Sequence, residues 1–448
     1  MKYKNKLNMV VPKDNQRETF ASRWGFIIAV VGASMGMANI WMFPWRIGMH
    51  GGSAFLIPYL LFLFGFSIYG LMGEIAFGRE MKRGTVGAFE KVLKAKGKKW
   101  GSLLGIFPAI AVTGVFTFYV IVQGWILHYF YLALTGKLKI IDINSHFGLF
   151  SGSADSILWN IISLIFVFVI IALGVQNGIE KACKIMMPIF YILIFVIMIR
   201  SITLPGAIEG VKFILIPRWG EMLNLKTWII ALGMSFFTLS LGSGNVVYGS
   251  YMRSNDNLVV TCWTVAFFDF IAAIMVAFAI IPAVFAFDLD PAAGPQLLFI
   301  TLPKVLNSMP GGQIFSILFF LIVFFAALSS SIHMIEGPVE GLIDKLQWDR
   351  KKSTLLVTVV ALIIGLALDL NMNLFTHFAN LFSIFILPAS AVLIGIIYYW
   401  IYGADKARNE INKKTERPLG KWFEFFMKYV FVPISFIILL MGIIIGGF

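Results

Sequence analysis

The sequence predicts an all-α polytopic membrane protein with eleven transmembrane helices, and three observations predict it. Hydrophobic residues fill 59% of the 448 positions and charged residues only 13%, with a mean hydropathy of +0.86; soluble domains sit nearer one half apolar. Apolar runs long enough to cross about 30 Å of hydrocarbon fall near 24–48, 53–78, 104–135, 156–174, 184–204, 228–252, 258–287, 312–347, 354–370, 377–402 and 424–446. Two of them, the first and the sixth, are interrupted midway by residues that an unbroken helix in lipid does not favour.

The first run contains Gly32-Ala33-Ser34-Met35-Gly36-Met37-Ala38-Asn39-Ile40-Trp41-Met42-Phe43-Pro44. Glycines, a serine and an asparagine at that depth release backbone carbonyls, tolerated only inside protein, and such carbonyls suit sodium. The sixth run breaks similarly at Phe237-Thr238-Leu239-Ser240-Leu241-Gly242-Ser243-Gly244-Asn245. Paired breaks in corresponding halves point to a secondary-transporter site. Residues 24–204 and 228–402 then form two five-span repeats, inverted because five is odd, with 1–23 a cytoplasmic tail and 424–446 an additional helix. The segments 136–155, 205–227 and 287–311 read as loops, and 79–103 as a basic connector.

The net charge of +13 follows topology. With the N-terminus cytoplasmic, most Lys and Arg fall in inner segments, chiefly Lys2 to Arg23, Arg79 to Lys99 and Lys406 to Lys428, as the positive-inside rule requires. Nucleic acid is therefore not expected as a partner. The first run follows mostly polar residues without a small-residue cleavage site, so it is expected to remain in the mature protein. Cys183 and Cys262, near inner ends of spans, are expected to be free thiols. No nucleotide loop, His/Cys metal spacing or nucleophile beside a base marks an enzyme.

Ionisable residues inside spans are costly and mark function. Asp269, deep in span 7, suits a hard cation; its bland alternative is a protonated acid bonded to a hydroxyl. Glu74 suits pairing with the exposed backbone of a broken helix, and Glu336 is the third intramembrane acid. Span 8 carries Ser329-Ser330-Ser331, hydroxyls that either pack helices or ligate an ion. Tyr119 lies mid-span, away from the interface where tyrosines usually anchor, and can donate to a ligand carboxylate. For His333, two readings stand: a satisfied core residue and a proton carrier.

These residues, with Ser22-Arg23-Trp24-Gly25-Phe26, Gly51-Gly52-Ser53-Ala54-Phe55, Phe236-Phe237-Thr238-Leu239-Ser240-Leu241-Gly242, Phe325 to Ser331 and Tyr402-Gly403-Ala404-Asp405-Lys406, resemble the neurotransmitter:sodium symporter family, specifically its bacterial eleven-span amino-acid transporters. The resemblance implies two sodium ions and a substrate at the midplane. Sodium 1 would take the carbonyl of Ser34, Asn39, Thr238, Asp269 and the substrate carboxylate, so that each binds better with the other. Sodium 2 would take carbonyls of Gly32, Met35 and Ala326 with the hydroxyls of Ser329 and Ser330. The substrate carboxylate would meet Tyr119 and N–H groups around Ser34 and Gly36, favoured by the helix end. Its side chain would lie among Val115, Phe236, Phe237, Ser240, Ser243, Ser330 and Met334, with room for a large apolar residue because Ser243 stands where relatives carry an aromatic.

The resemblance also implies an inner gate in which Arg17 pairs with Asp344, braced by Ser250 and Tyr251, with Phe20 in place of a tryptophan. Gly178 and Pro188 would form a hinge in span 5. The family's outer arginine and aspartate are replaced by Met42 and Ala379, which leaves an apolar lid with Arg46 one turn further out. Asp269 supplies the negative charge that chloride brings elsewhere, so no chloride is expected. The expected activity is chloride-independent, sodium-coupled import of a large hydrophobic or aromatic amino acid across a plasma membrane, here a bacterial inner membrane. A proton-coupled or sodium-independent exchanger and a non-transporting receptor are the alternatives. The sequence leaves oligomeric state open.

Overall fold

The computed structural model describes residues 18–445 apart from 293, 295 and 296. Among them every regular element is helical. In chain order these are α1 (Arg23–Ser34), α2 (Ala38–Met49), α3 (Ser53–Met81), α4 (Thr85–Ala95), α5 (Gly101–Leu134), α6 (Ile143–Phe150), α7 (Ala154–Ala172), α8 (Val175–Ile202) and α9 (Ala207–Leu215). They continue with α10 (Leu225–Thr238), α11 (Asn245–Ser250), α12 (Leu258–Ala286), α13 (Leu297–Ser308), α14 (Gly312–Leu346), α15 (Arg350–Asp369), α16 (Met372–Ile411) and α17 (Trp422–Ile444).

Nine of these helices are long and apolar enough to span a membrane, and α1 with α2, bent by 46° at their break, make a tenth span. The sixth apolar run is interrupted where expected. Its break is so wide that α10 and α11 are separate short helices, and neither alone has the length to cross. The stretches read as loops also hold short helices, α6, α9 and α13, and the basic connector holds α4. Their length is too small for a spanning signal, which is why they are missed by hydropathy.

Helix starts follow local chemistry. Ser22, Asn257, Asp349 and Asn371 each accept a backbone N–H from the first turn of α1, α12, α15 and α16, offsetting orphaned donors there. Lys82 and Gln347 close α3 and α14 in left-handed conformation. Cys183 and Cys262 are free and buried.

In the packing, α14 lies along α5, α7 packs on α5 and α15, and α11 lies along α3. The half-helix α1 is wedged among α8, α12 and α14. Both breaks therefore face the centre of the bundle, where lipid cannot reach their backbone.

The second break is held open by one acid. Glu74 of α3 accepts from the Gly242 backbone N–H at 2.7 Å and from Asn245 Nδ2 at 3.1 Å. Asn245 Nδ2 also reaches the carbonyls of Leu239 and Ser240, both at 3.0 Å, and Ser390 donates to the Gly242 carbonyl at 2.8 Å. Within it Ser240 and Gly242 take φ of 53° and 81°, a conformation free of cost only for the glycine.

Replacing Glu74 by Ala leaves the buried Gly242 N–H without its acceptor and takes one of three acceptors from the Asn245 amide, so Glu74→Ala is expected to lower stability by about 1–3 kcal/mol. Glu74→Gln, which keeps one acceptor, should lose less. Thermal unfolding in detergent measures both, and an Ala variant as stable as the parent would remove this role.

Candidate functional site

Where the two breaks meet, Asp269 of α12 is fully buried. Its Oδ1 accepts from Asn39 Nδ2 at 2.7 Å and its Oδ2 lies 3.5 Å from the Tyr59 hydroxyl. Tyr59 also reaches Thr238 Oγ1 at 3.3 Å. All of these partners are neutral, and no cationic side chain pairs with Asp269 among the described residues. The Asn39 Oδ1 atom is buried and unpartnered. A carboxylate beside a free amide oxygen, a threonine hydroxyl and a helix break is a hard-cation donor set, and an uncompensated buried charge is costly. Asn39, Thr238 and Asp269 of the expected first sodium site are thus together; Ser34 turns its own hydroxyl back to the Val30 carbonyl at 3.0 Å.

Of the second expected set, Gly32, Ala326, Ser329 and Ser330 come together. Ser329 Oγ donates to the Gly32 carbonyl at 2.7 Å and lies 3.0 Å from that of Ala326. Ser330 Oγ lies 3.0 Å from the Ala33 carbonyl and 3.5 Å from that of Gly32. These hydroxyl protons occupy the carbonyl lone pairs that a cation would take, so ion entry requires the hydroxyls to turn. Met35 is fully buried beside them, its sulfur contacted by the Tyr191 hydroxyl at 3.0 Å.

Between the two sets lies a small cavity of about 30 Å³ bordered by Ser34, Gly36, Val115, Tyr119, Phe237, Ser240, Ser243, Ser330 and Met334. That volume suits one water; the spare room expected beside Ser243 is absent in this conformation. Ser243 donates to the Ser240 carbonyl at 2.5 Å and Ser240 to the Ala33 carbonyl at 3.1 Å, which draws the two breaks together. The Met37 backbone N–H donates to the Tyr119 hydroxyl at 3.0 Å. A Cβ on Gly36 would collide with Ser330 Oγ and come within 2.7 Å of the Tyr119 hydroxyl.

Phe236 is not on this small cavity. It stacks on Phe431 at 5.5 Å and borders a second, larger cavity of about 360 Å³, which Tyr119, Val115 and Phe237 share. Met42, Arg46, Asn380 and Ser383 also border it; Ala379 does not, its neighbour Asn380 pointing there instead. Arg46 lies over the Trp45 ring at 3.9 Å with Nε unpartnered.

The residues expected at the inner gate make these contacts among the described residues. Arg17 lies outside the described residues. Asp344 pairs with Arg83, and Tyr251 donates to Glu336 at 2.6 Å. Arg350 grips both oxygens of Glu336, at 2.8 and 2.9 Å, and reaches Glu18 at 3.4 Å. Ser250 donates to the Val247 carbonyl at 2.5 Å. Phe20 is buried, edge-on to Phe26 and Tyr248. Gly178 sits in a widened turn, Val175–Glu180, and Pro188 inside the continuous Lys181–Ile202 helix, so the proposed hinge is wound here. His333 is buried with both ring nitrogens unpartnered, edge-on to Tyr248 at 4.5 Å. Sequence reasoning missed Tyr59, Tyr191 and Arg350: a hydroxyl in an apolar span carries no signal until its neighbour across the bundle is known.

The sequence profile of the sodium:neurotransmitter symporter family matches residues 17–149 and 150–446. The chain belongs to the sodium:neurotransmitter symporter family. Among its relatives is a sodium-dependent transporter of Methanocaldococcus jannaschii, 32% identical over 92% of this chain and 87% of the relative. Another, YhdH of Bacillus subtilis, is 31% identical over 95% and 97%. The crystal structure of MhsT in complex with L-phenylalanine superposes with a TM-score of 0.85, at 32% identity over 95% of this chain and 99% of MhsT. This symporter-family chain is therefore a sodium-dependent, multi-pass membrane transporter rather than an enzyme.

Because its neighbours at Gly36 are the Ser330 and Tyr119 oxygens, Gly36→Ala is expected to cost about 1–3 kcal/mol through overpacking, seen as a lower unfolding temperature. An unchanged temperature would mean that α2 shifts freely against α5 and α14.

Proposed function

We propose that this chain imports a large hydrophobic or aromatic amino acid by chloride-independent sodium symport with alternating access. One observation carries the reading: Asp269 is a buried carboxylate with only neutral partners, between two helix breaks whose oxygens converge. A sodium ion there, ligated by the Ser34 carbonyl, Asn39, Thr238 and Asp269, neutralises the acid, and the substrate carboxylate completes its shell. Each ligand then raises the affinity of the other. A second sodium among the oxygens of Gly32, Met35, Ala326, Ser329 and Ser330 would fasten α1 to α14.

The permanent charge of Asp269 makes an added chloride unnecessary. The substrate side chain extends among Val115, Phe237, Ser240, Ser243 and Met334, with Phe236 above it toward the larger cavity. The likeness to MhsT, which is seen with L-phenylalanine, supports an apolar substrate of that size. Admitting it requires the breaks to part, since the site now encloses about 30 Å³. In this reading 24–204 and 228–402 act as inverted repeats, the N-terminus is cytoplasmic, the membrane is a prokaryotic inner membrane, and Gly178 and Pro188 let α8 unwind on release. Arg17 would join the ion pairs around Asp344 and Glu336.

Uptake of a radiolabelled amino-acid panel into proteoliposomes tests this, with sodium replaced by potassium and chloride by gluconate. Phenylalanine-class uptake should need sodium and ignore chloride. Asp269→Asn, which removes the charge but keeps the shape, should raise the sodium concentration for half-maximal uptake at least about tenfold, or confer chloride dependence. Uptake indifferent to sodium would favour a proton-coupled exchanger, and binding without flux would favour a receptor.

A further inference from the structure

Far from both sodium sets, at the Leu134 end of α5, His128 and the His146 of α6 bring their Nε2 atoms to 3.0 Å. The ring centres are 5.3 Å apart and the planes 17° from parallel. The difference between the two distances is what two half-rings occupy, so the imidazoles meet head to head. One N–H therefore points along the axis to one lone pair, and the pair is complete only with a single proton between the rings. His128 Nδ1 is buried and unpartnered; since orphaned buried N–H groups are rare, the geometry places the His128 proton on Nε2. His146 Nε2 is then the acceptor.

Among the described residues no other side chain hydrogen-bonds either imidazole. Phe150 stacks on His128 at 4.0 Å, Trp159 of α7 meets it at 5.1 Å, and Tyr129 lies 5.9 Å from His146. Asp142 on α6 is turned to Ser145 and Asn144, Tyr131 packs on Trp159, and Asp155 opens α7. No acidic side chain acts on either imidazole among the described residues.

The pair also reaches the transport path. Phe147, next to His146, lies flat on Phe299 of α13 at 4.7 Å and 3°. Phe299 in turn touches Trp125 and Trp41, at 6.1 and 6.3 Å, and Trp41 borders the 360 Å³ cavity.

We propose that His128 and His146 form a proton-binding site that latches α6 and, through Phe147 and Phe299, holds α13 against Trp41 at the wall of the large cavity. His128 Nδ1, the other free lone pair, is buried away from water; a proton from water on His146 Nε2 removes the acceptor that faces His128, sets two N–H groups face to face and frees α6. Burial lowers the affinity of His146 for a proton, so the freed form binds it first. The latch is whole above the ordinary histidine value near about 6.5 and weakens as pH on that face falls below it.

Two readouts test this. Spin labels at Leu149→Cys on α6 and Ile314→Cys on α14, both exposed positions, should give one distance at pH 7.5 and a second population at pH 5.5. His146→Gln, whose amide does not titrate, should keep one distance at both; if that variant does not fold, His128→Gln serves. A parent distance indifferent to pH, or a variant that switches alike, overturns the latch. Transport is read separately, and only this arm rests on the symport reading. With the opposite side buffered, lowering pH on the α6 face should raise KM about fivefold in the parent and less than twofold in His146→Gln. Equal KM shifts in parent and variant would overturn the link to the cavity. A pH-dependent distance without any uptake would leave the latch standing and remove the transport reading instead.

Discussion

Everything at the centre of this protein depends on one uncompensated charge. Asp269 is buried with only amide and hydroxyl partners, and a lone carboxylate in that environment is held at a cost that only a cation or a proton offsets. The Asn39 oxygen left unpartnered beside it and the hydroxyl of Thr238 make the cation the chemically natural occupant. Other oxygens of the site come from backbone that two broken helices expose, and those breaks are tolerable only because α3, α5, α8, α12 and α14 shield them from lipid.

A second acid solves the opposite problem. Glu74 satisfies amide hydrogens that the break between α10 and α11 leaves open. Neither acid has a cationic partner among the described residues: Glu74 closes the second break through one backbone N–H and one amide, while Asp269 meets an amide and a hydroxyl beside an unpartnered amide oxygen. The contrast arises from partners alone, since both acids are buried. It separates an acid tied into a helix break from one placed among cation-ligand oxygens.

The conformation itself is a closed one around the small cavity between the breaks. Ser240, Ser243, Ser329 and Ser330 spend their hydroxyl protons on carbonyls of the breaks, and the space between them shrinks to about 30 Å³. The larger cavity above is apolar, with Arg46 as its charged group. Met42 and Ala379 stand where the resembled family carries a charged pair; Met42 borders this cavity, Asn380 rather than Ala379 does so opposite, and Phe236, Phe237 and Trp41 give it aromatic walls.

The sequence by itself determined the helical membrane architecture, both breaks and most of the central residues, because hydrophobic length and helix-breaking chemistry are local properties. Asp269, Thr238, Ser329 and Tyr119 stand out against apolar spans without any knowledge of their neighbours. Tertiary structure alone decided which groups share a partner. Tyr59 beside Asp269, Arg350 on Glu336, Arg83 on Asp344 and His146 against His128 join residues from different helices, and their pairing is set by helix rotation and packing. It also decided how much space the site holds, since volume depends on rotamers and on the approach of α1 and α10 rather than on composition. Phe236, placed by sequence in the pocket, faces the larger cavity for that reason: one residue along a helix turns a side chain by about 100°.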